Sequence, residues 1–177
     1  MCKNIVVRTQ QELDNISSEF NGQIIIDFGD QDDAAVVNRK FKLPVIASGK
    51  SYVLVAAGAE IIARDESFVK AKGASIVEAM NRACAEAWDR STVTAKDNST
   101  VKGFNAIVYA QDYATVEAFD DCFVEARGNS YVISRGKNRI SAWDDAKVSI
   151  PMERDKTQVT SIVFNNNARY VEYKSEK

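Results

Sequence analysis

Histidine is missing altogether from the 177-residue sequence. Histidine is the usual general base near neutral pH, the commonest metal ligand and the partner of serine and cysteine nucleophiles. Its absence excludes every Ser–His or Cys–His arrangement and every histidine-ligated metal site. The expectation is therefore a protein without catalytic residues, metal or other cofactor, that is, not an enzyme.

Cysteine and proline are scarce. The three cysteines, Cys2, Cys84 and Cys122, are an odd and scattered set, so neither a disulfide framework nor a zinc site is indicated. Neither Cys84 nor Cys122 has a clear basic neighbour that would make it a catalytic thiolate. The two prolines, Pro44 and Pro151, nearly bracket the middle of the chain. Because proline cannot donate to a β-ladder, this placement is expected if strands run throughout the segment between them.

Strong net charge and long apolar runs are also lacking. The 23 basic and 25 acidic residues give a net charge of −2, which makes nucleic acid or an anionic membrane an unexpected partner. No apolar run approaches the ~20 residues that cross a membrane, and the N-terminal sequence becomes polar too early for a secretory signal. The composition predicts a globular, cytoplasmic protein with one main domain.

The sequence does contain an eight-residue repeat. Thirteen units can be read, and one residue is dropped after Asn105. They begin at Val45, Val53, Ile61, Val69, Val77, Ala85, Val93, Val101, Val108, Val116, Val124, Val132 and Ile140. Position one is Val in ten units, position three is Ala in ten, position five is Asp, Gly or Asn in twelve, and position seven is Ser, Ala or Cys in twelve. In the short unit that begins at Val101, Ala106 takes the role of position seven one place early.

This pattern is typical of a short strand followed by a bend. Apolar residues at positions one and three alternate as in a strand, and Asp, Gly and Asn at position five are turn residues. Short strands can share a core only when the units stack. The fold class expected is mainly β, a parallel β-solenoid (β-helix).

The outward position two indicates how many units make one coil. Every second unit gives the alternating charges Lys70, Glu86, Lys102 and Glu117, which would attract one another at the ~4.8 Å spacing of stacked strands. Every third unit gives no pattern. Two octads per coil are therefore favoured, with about six and a half coils and a rod of roughly 30 Å. The dropped residue should leave the strands in register.

The flanking segments are expected to cap the solenoid, which is assigned to residues 45–150. Residues 1–44 are predicted to form a small α/β cap. A strand at Ile5–Val7 precedes a helix that opens with a capping box, and QIIIDF forms a second strand. The helical residues Leu13, Ile16 and Phe20 share one apolar face. Residues 151–177 predict a β-hairpin, with Val159–Phe164 and Arg169–Tyr173 around NNNA, and a solvated tail, KSEK.

Three motifs together resemble a known group of proteins. They are T-x-x-E-L-D-x-I at Thr9, G-x-I-I-I-x-F-G at Gly22, and the octads V-x-A-x-[DG]-x-[SA]-x. This combination is similar to the octapeptide-repeat proteins of Gram-positive bacteria and their phages, and it covers most of the chain. The resemblance implies the solenoid architecture and brings no catalytic residues. If the protein is phage-encoded, it implies a host-defence inhibitor that binds a bacterial defence complex, as anti-CRISPR proteins do.

Outward aromatic residues are the strongest candidate for a binding site. Position four of alternate units places Trp88, Phe104 and Phe119 in one stripe, and other positions add flanking residues. The candidate contact residues are Trp88, Phe104, Phe119, Phe123, Ile133, Lys72 and Arg135, with Ile76 nearby. An apolar stripe with a charged rim is typical of a contact surface. It could contact a protein partner or a second copy in a homodimer, or it could receive the apolar face of the N-terminal helix.

Other readings of the repeat have less support. The position-five residues Asp65, Asn81, Asp97 and Asp112 would stack and could bind calcium, but turns hydrogen-bonded to their own backbone account for them better. The threonine ladder is too short for ice binding. A homopolymer is disfavoured by the structured ends. The alternative function is a carbohydrate-binding or carbohydrate-active β-helix protein, although such enzymes need paired carboxylates in a groove, and no loop insertion builds one here. A protein-binding or assembly module is therefore the leading hypothesis.

Overall fold

The computed structural model describes residues 3–29, 33–151 and 161–172. This part of the chain is mainly β, with one five-residue helix. The elements are β1 (Lys3–Val7), α1 (Gln10–Asp14), β2 (Gly22–Ile26), β3 (Ala35–Val37), β4 (Val45–Ala47), β5 (Tyr52–Val55), β6 (Glu60–Ala63), β7 (Phe68–Ala71), β8 (Ile76–Ala79), β9 (Cys84–Trp88), β10 (Thr92–Ala95), β11 (Thr100–Phe104), β12 (Ile107–Ala110), β13 (Thr115–Asp120), β14 (Phe123–Ala126), β15 (Tyr131–Gly136), β16 (Arg139–Ala142), β17 (Lys147–Ser149), β18 (Ser161–Phe164) and β19 (Arg169–Tyr170).

The strands form two parallel sheets of a β-solenoid with about nine turns. The first sheet, here the A sheet, has ten strands in the order β1-β2-β4-β6-β8-β10-β12-β14-β16-β18. The second, the B sheet, has nine in the order β19-β17-β15-β13-β11-β9-β7-β5-β3. In the regular middle, a strand residue pairs with the residue sixteen positions later, as Val77 does with Val93. The expected six and a half coils were too few, because both sheets continue into the flanking segments.

The core is a thin double layer of small side chains between the sheets. Val at the first inward position and Ala at the second are almost wholly buried, for example Val69, Ala71, Val93 and Ala95, all at 0% exposure. The small residue that directly precedes a strand is buried too, as Ser67 before β7 and Ala83 before β9 are. Only small side chains fit here, because a coil of two short strands leaves little room between its two bends.

The bends explain why Asp, Asn and Gly recur at one position. Bend residues take the left-handed conformation, including Asp65 at φ 60°, Asn81 at φ 58° and Asp97 at φ 54°. Glycine enters this region without strain, and Asp and Asn enter it more readily than other residues. In addition, the Asp97 carboxylate accepts a 2.9 Å hydrogen bond from the Asn81 backbone N–H. This bond joins neighbouring coils, whereas the sequence favoured a bond within the turn itself.

The dropped residue at Asn105 is absorbed in a single bend. Asn105 turns the corner alone at φ 52°, and its carbonyl accepts a 3.0 Å hydrogen bond from the Arg90 N–H of the preceding coil. Pairing continues on both sides with an offset of fifteen residues, as between Thr92 and Ile107 and between Val101 and Val116. The strands therefore stay in register through the deletion.

The N-terminal segment adds two strands and a short helix to the first end of the solenoid. β1 and β2 are the first two strands of the A sheet. The helix is shorter than the apolar pattern suggested: it ends at Asp14, so Ile16 and Phe20 follow it without being helical. Leu13, Ile16 and Phe20 nevertheless all pack in or against the core cluster at this end. The Gln10 side chain also pairs with the N–H and the carbonyl of Val36 in the edge strand β3.

The expected C-terminal hairpin is wrong. β18 pairs in parallel with β16 in the A sheet, and β19 pairs in parallel with β17 in the B sheet. The two strands therefore belong to opposite sheets and extend the solenoid instead of pairing with each other. The physical reason is that a bend at 165–168 supplies the same corner as elsewhere, with Asn166 at φ 55°. Val159, Tyr173 and the tail KSEK lie outside the described residues.

Candidate interaction surface

Three aromatic rings stack along one side of the solenoid, at the ends of strands β9, β11 and β13. Register pairs Phe104 with Trp88 on one side and with Phe119 on the other. The Trp88 and Phe104 ring centroids are 4.0 Å apart at an interplanar angle of 11°, and those of Phe104 and Phe119 are 4.7 Å apart at 6°. All three side chains are half-buried. In this aromatic ladder (Trp88, Phe104 and Phe119) the rings stack on one another, and both faces of the central Phe104 ring are covered.

Charged residues border the aromatic ladder as the sequence suggested. The Lys70 Nζ lies 5.3 Å from the Trp88 ring centroid and 3.2 Å from the Glu86 carboxylate. At the other end Arg135 is aligned with Phe119 in the register and lies 3.9 Å from Glu117. Lys72, which precedes Trp88 by one coil, is exposed. The cations therefore sit at both ends of an apolar strip.

Phe123 lies around the corner from the aromatic ladder and not beside it on the same sheet. It starts strand β14 of the A sheet, where it pairs with Ile107, and its side chain is 43% exposed. Ile76, which is 45% exposed, begins β8 in the same column. This second column, here the aliphatic ladder, comprises Ile76, Thr92, Ile107 and Phe123. One row of bends separates it from the aromatic ladder.

Ile133 does not belong to the contact surface. The sequence placed it outward on the B sheet, and the strand register agrees, since it pairs with Glu117 and Ser149. Its side chain is nevertheless only 9% exposed. An outward branched side chain between two neighbouring strands can be enclosed by its neighbours, so direction alone did not determine accessibility.

The N-terminal helix does not cover the aromatic ladder. α1 contacts β1, the edge strand of the A sheet, and bonds to β3, the edge strand of the B sheet. Strand β9, which carries Trp88, is three strands away from β3 in the B sheet. This result removes internal packing by the helix as an explanation of the ladder, and it leaves the ladder on the surface.

The row of bends between the two ladders contains a groove that the sequence reading missed. It has a volume of about 530 Å³ and is lined by Asn105, Asp120, Asp121, Gly136, Lys137, Asn138, Arg139 and Ser161. Two sequence signals mark it: the dropped residue after Asn105 and the departure from a small residue at position seven in Asn138. The groove carries two acidic and two basic side chains, so it favours no single ligand charge.

Asn138 fixes the floor of this groove. It is fully buried, and its amide group donates to the Ala118 carbonyl at 2.9 Å and to the Ser134 hydroxyl at 2.8 Å. Its side-chain oxygen accepts from the Cys122 N–H at 2.9 Å. In regular bends the backbone N–H at the position of Cys122 donates to the carbonyl three residues earlier, as the Ser130 N–H does to the Arg127 carbonyl. Asn138 therefore replaces a backbone bond that this bend lacks.

Cys122 beside the groove should resist alkylation in the folded protein. Burial raises the pKa of the Cys122 thiol above its ordinary value, so even less thiolate forms at pH 8 than in a free cysteine, and the thiolate is the reactive species. We expect iodoacetamide to modify Cys122 only after unfolding in urea, as read by peptide mass mapping. The half-buried Cys84 is the internal comparison. Modification of native Cys122 as fast as that of a free thiol would contradict its burial.

The stacked bend acids are occupied by the backbone. Asp65 accepts from the Gly49 N–H at 3.1 Å, and Asp112 accepts from the Asp97 N–H at 3.2 Å. Within the described ranges no group of three or more potential ligand side chains could hold a metal ion. These carboxylates therefore have a structural role between coils.

The described ranges also contain no helix with the length and apolar character that a membrane crossing requires. Comparisons of the chain with protein-family models, with curated proteins and with solved structures find no match. The surface itself must therefore carry any proposal about function.

Proposed function

We propose that this protein is a non-enzymatic binding module, and that its contact surface is the corner formed by the aromatic and aliphatic ladders. The observation that carries the proposal is the exposure of Ile76 and Phe123 at nearly half of their surface, beside three stacked aromatic rings. An apolar column of this kind is costly to leave in water unless a partner covers it. The charged rim with Lys72 and Arg135 fits a protein interface.

The ring geometry favours a protein partner over a carbohydrate. Sugars stack on a flat, open aromatic face, but both faces of Phe104 are taken by Trp88 and Phe119 at 4.0 and 4.7 Å. The ring edges and the aliphatic side chains are free to make contact. Such a surface matches apolar side chains of another protein, which need no specific hydrogen bonds.

The solenoid presents this surface with little loss of entropy on binding. Backbone bonds join each coil to the next, and the core valines and alanines are fully buried. A rigid, preformed surface binds more tightly than a mobile one with the same contacts. We further propose that each octapeptide unit forms half a coil, because outward residues at the same position of every second unit then lie in one ladder.

The setting of this binding is also a proposal. The resemblance to octapeptide-repeat proteins of Gram-positive bacteria and their phages supports a cytoplasmic, phage-encoded protein that inhibits a bacterial defence complex by binding it. The net charge of −2 supports a protein target over nucleic acid. No catalytic residues are assigned.

A double variant, Ile76→Glu with Phe123→Glu, should abolish capture of the partner. Both side chains are about half exposed, so the fold tolerates the charges, whereas two buried carboxylates at an apolar interface weaken binding by at least about tenfold. The matched control is Tyr113→Glu, because Tyr113 is 64% exposed on the opposite row of bends. The experiment immobilises wild type, double variant and control, and passes a host-cell lysate over each.

The proposal predicts a protein that wild type and control retain and the folded double variant loses. Reconstitution with the purified partner must then give a complex of defined mass by light scattering. Identification as a subunit of a defence complex would support the phage setting. Equal retention by the double variant, or no retained protein, would contradict the binding surface.

A further inference from the structure

Two inward-facing aromatic side chains are exposed at the C-terminal end of the described solenoid. Phe164 and Tyr170 occupy inward positions, because they pair with Ala142 and Val148 of the preceding coil. Ala142 and Val148 are fully buried, whereas Phe164 is 40% and Tyr170 52% exposed. Large aromatic side chains thus replace small ones at the last coil that the structure describes.

Backbone groups also point out of this end. In a parallel ladder, alternate residues bond to one neighbouring strand and the residues between them bond to the other. The N–H groups of Ser161 and Asn165 donate back to Asn138 and Ala142. The intervening Ile162 and Phe164 therefore direct their N–H and carbonyl groups away from β16, toward the C-terminal end. Among the described residues no strand lies beyond β18 or β19.

The N-terminal end differs from the C-terminal end. Val7 and Leu13 are almost fully buried there, and the Gln10 side chain bonds to both the N–H and the carbonyl of Val36 at the β3 edge. The β3 edge is thus already paired at Val36 and matches the β19 edge of another copy less well. Head-to-tail stacking would have to break these bonds, so contact between two C-terminal ends is favoured.

We propose that two copies of this chain associate through their C-terminal ends to form a two-fold dimer. A two-fold axis perpendicular to both sheets brings β18 against β18 of the second copy and β19 against its β19, in antiparallel pairing. Both sheets then continue across the interface, and the exposed Phe164 and Tyr170 become part of one core. A second copy fits because it presents two edge strands at the same separation, with apolar residues between them.

This dimer uses a surface distinct from the corner ladders. The ladders lie along the side of the rod, on strands β8 to β14, whereas the dimer surface is the end beyond β18 and β19. The pairing would place the two copies of the lateral surface on one continuous rod. A dimer would therefore offer two binding sites for the partner.

The test is the mass of the purified protein by light scattering after size exclusion. The chain has a mass of 19.6 kDa, so wild type is expected at twice this value. The variant Phe164→Lys with Tyr170→Lys is expected at the monomer mass, with unchanged circular dichroism, because both side chains are partly exposed in the monomer. The control is Val6→Lys, since Val6 is 43% exposed near the N-terminal end.

A second variant, Ile162→Pro, tests the backbone contribution. It removes an N–H that points out of the C-terminal end, so the monomer should fold while dimerisation falls at least tenfold. Three results would overturn the proposal. They are a wild-type monomer at every concentration, a dimer that both C-terminal variants retain, and a dimer split only by Ile76→Glu with Phe123→Glu, which would place the self-contact on the ladders.

Discussion

Replacement of Asn138 by alanine should lower the free energy of unfolding by about 3 to 5 kcal/mol. The buried amide makes three hydrogen bonds, and its removal breaks all three and strands the Cys122 N–H in the core. Each stranded buried group costs about 1–3 kcal/mol. A loss of this size is a large part of the 5–15 kcal/mol stability that is typical of a domain. Urea unfolding followed by tryptophan fluorescence measures it.

The matched control for this substitution is Ser130→Ala. Ser130 occupies the same position of the octad in the opposite row of bends and is fully buried, but its hydroxyl has no hydrogen-bond partner within the described chain. Its removal should change the free energy of unfolding by less than about 0.5 kcal/mol or increase it slightly. Hydrogen exchange gives a local check, because the Cys122 amide should lose protection only in Asn138→Ala. Equal effects of the two substitutions would show that the Asn138 bonds do not support the bend.

Replacement of Gly136 by alanine should destabilise the protein by about 3 kcal/mol or more. Gly136 has φ +152°, and an added Cβ would lie 2.6 Å from the Asp120 nitrogen and 2.7 Å from its carbonyl oxygen. Asp120 cannot easily move away, since it pairs with Gly136 in the ladder of β13 and β15. Backbone strain of 1–3 kcal/mol is therefore added to a steric clash of about 1–3 kcal/mol. Thermal and urea unfolding give the measurement.

The comparison is Gly73→Ala, in the same row of bends. Gly73 has φ +65°, and an added Cβ would meet no atom within 4 Å. Only the left-handed backbone penalty remains, about 1–2 kcal/mol. The two glycines thus separate conformational strain from the close approach of another coil. Similar losses in stability for both variants would show that the contact with Asp120 is relaxed by a backbone shift.

Gly136 and Asn138 lie where the solenoid departs from its regular form. They share one bend, and both line the groove with Asn105 and Asp120. The regular bends need only a left-handed residue and a small one after it. Here the close approach of a neighbouring coil requires glycine, and a buried amide replaces a backbone hydrogen bond.

The amino-acid sequence by itself determined the solenoid and much of its surface pattern. Val and Ala at alternate positions place two side chains of each strand in the core. Asp or Asn at the bends takes the left-handed conformation that other residues avoid. From this spacing the stacking of Trp88, Phe104 and Phe119 could be predicted. Local periodicity is enough for such features because each coil repeats the environment of the coil before it.

Only the tertiary structure decided what happens where the repeat stops. The N-terminal and C-terminal strands join the sheets without the octad pattern, because an edge strand accepts any segment that can pair with its free backbone groups. Accessibility was likewise beyond the sequence: Ile133 points outward yet is enclosed, and Phe164 points inward yet is exposed. Both outcomes depend on which strands lie above and below a residue, and the sequence of the residue's own coil does not specify those strands.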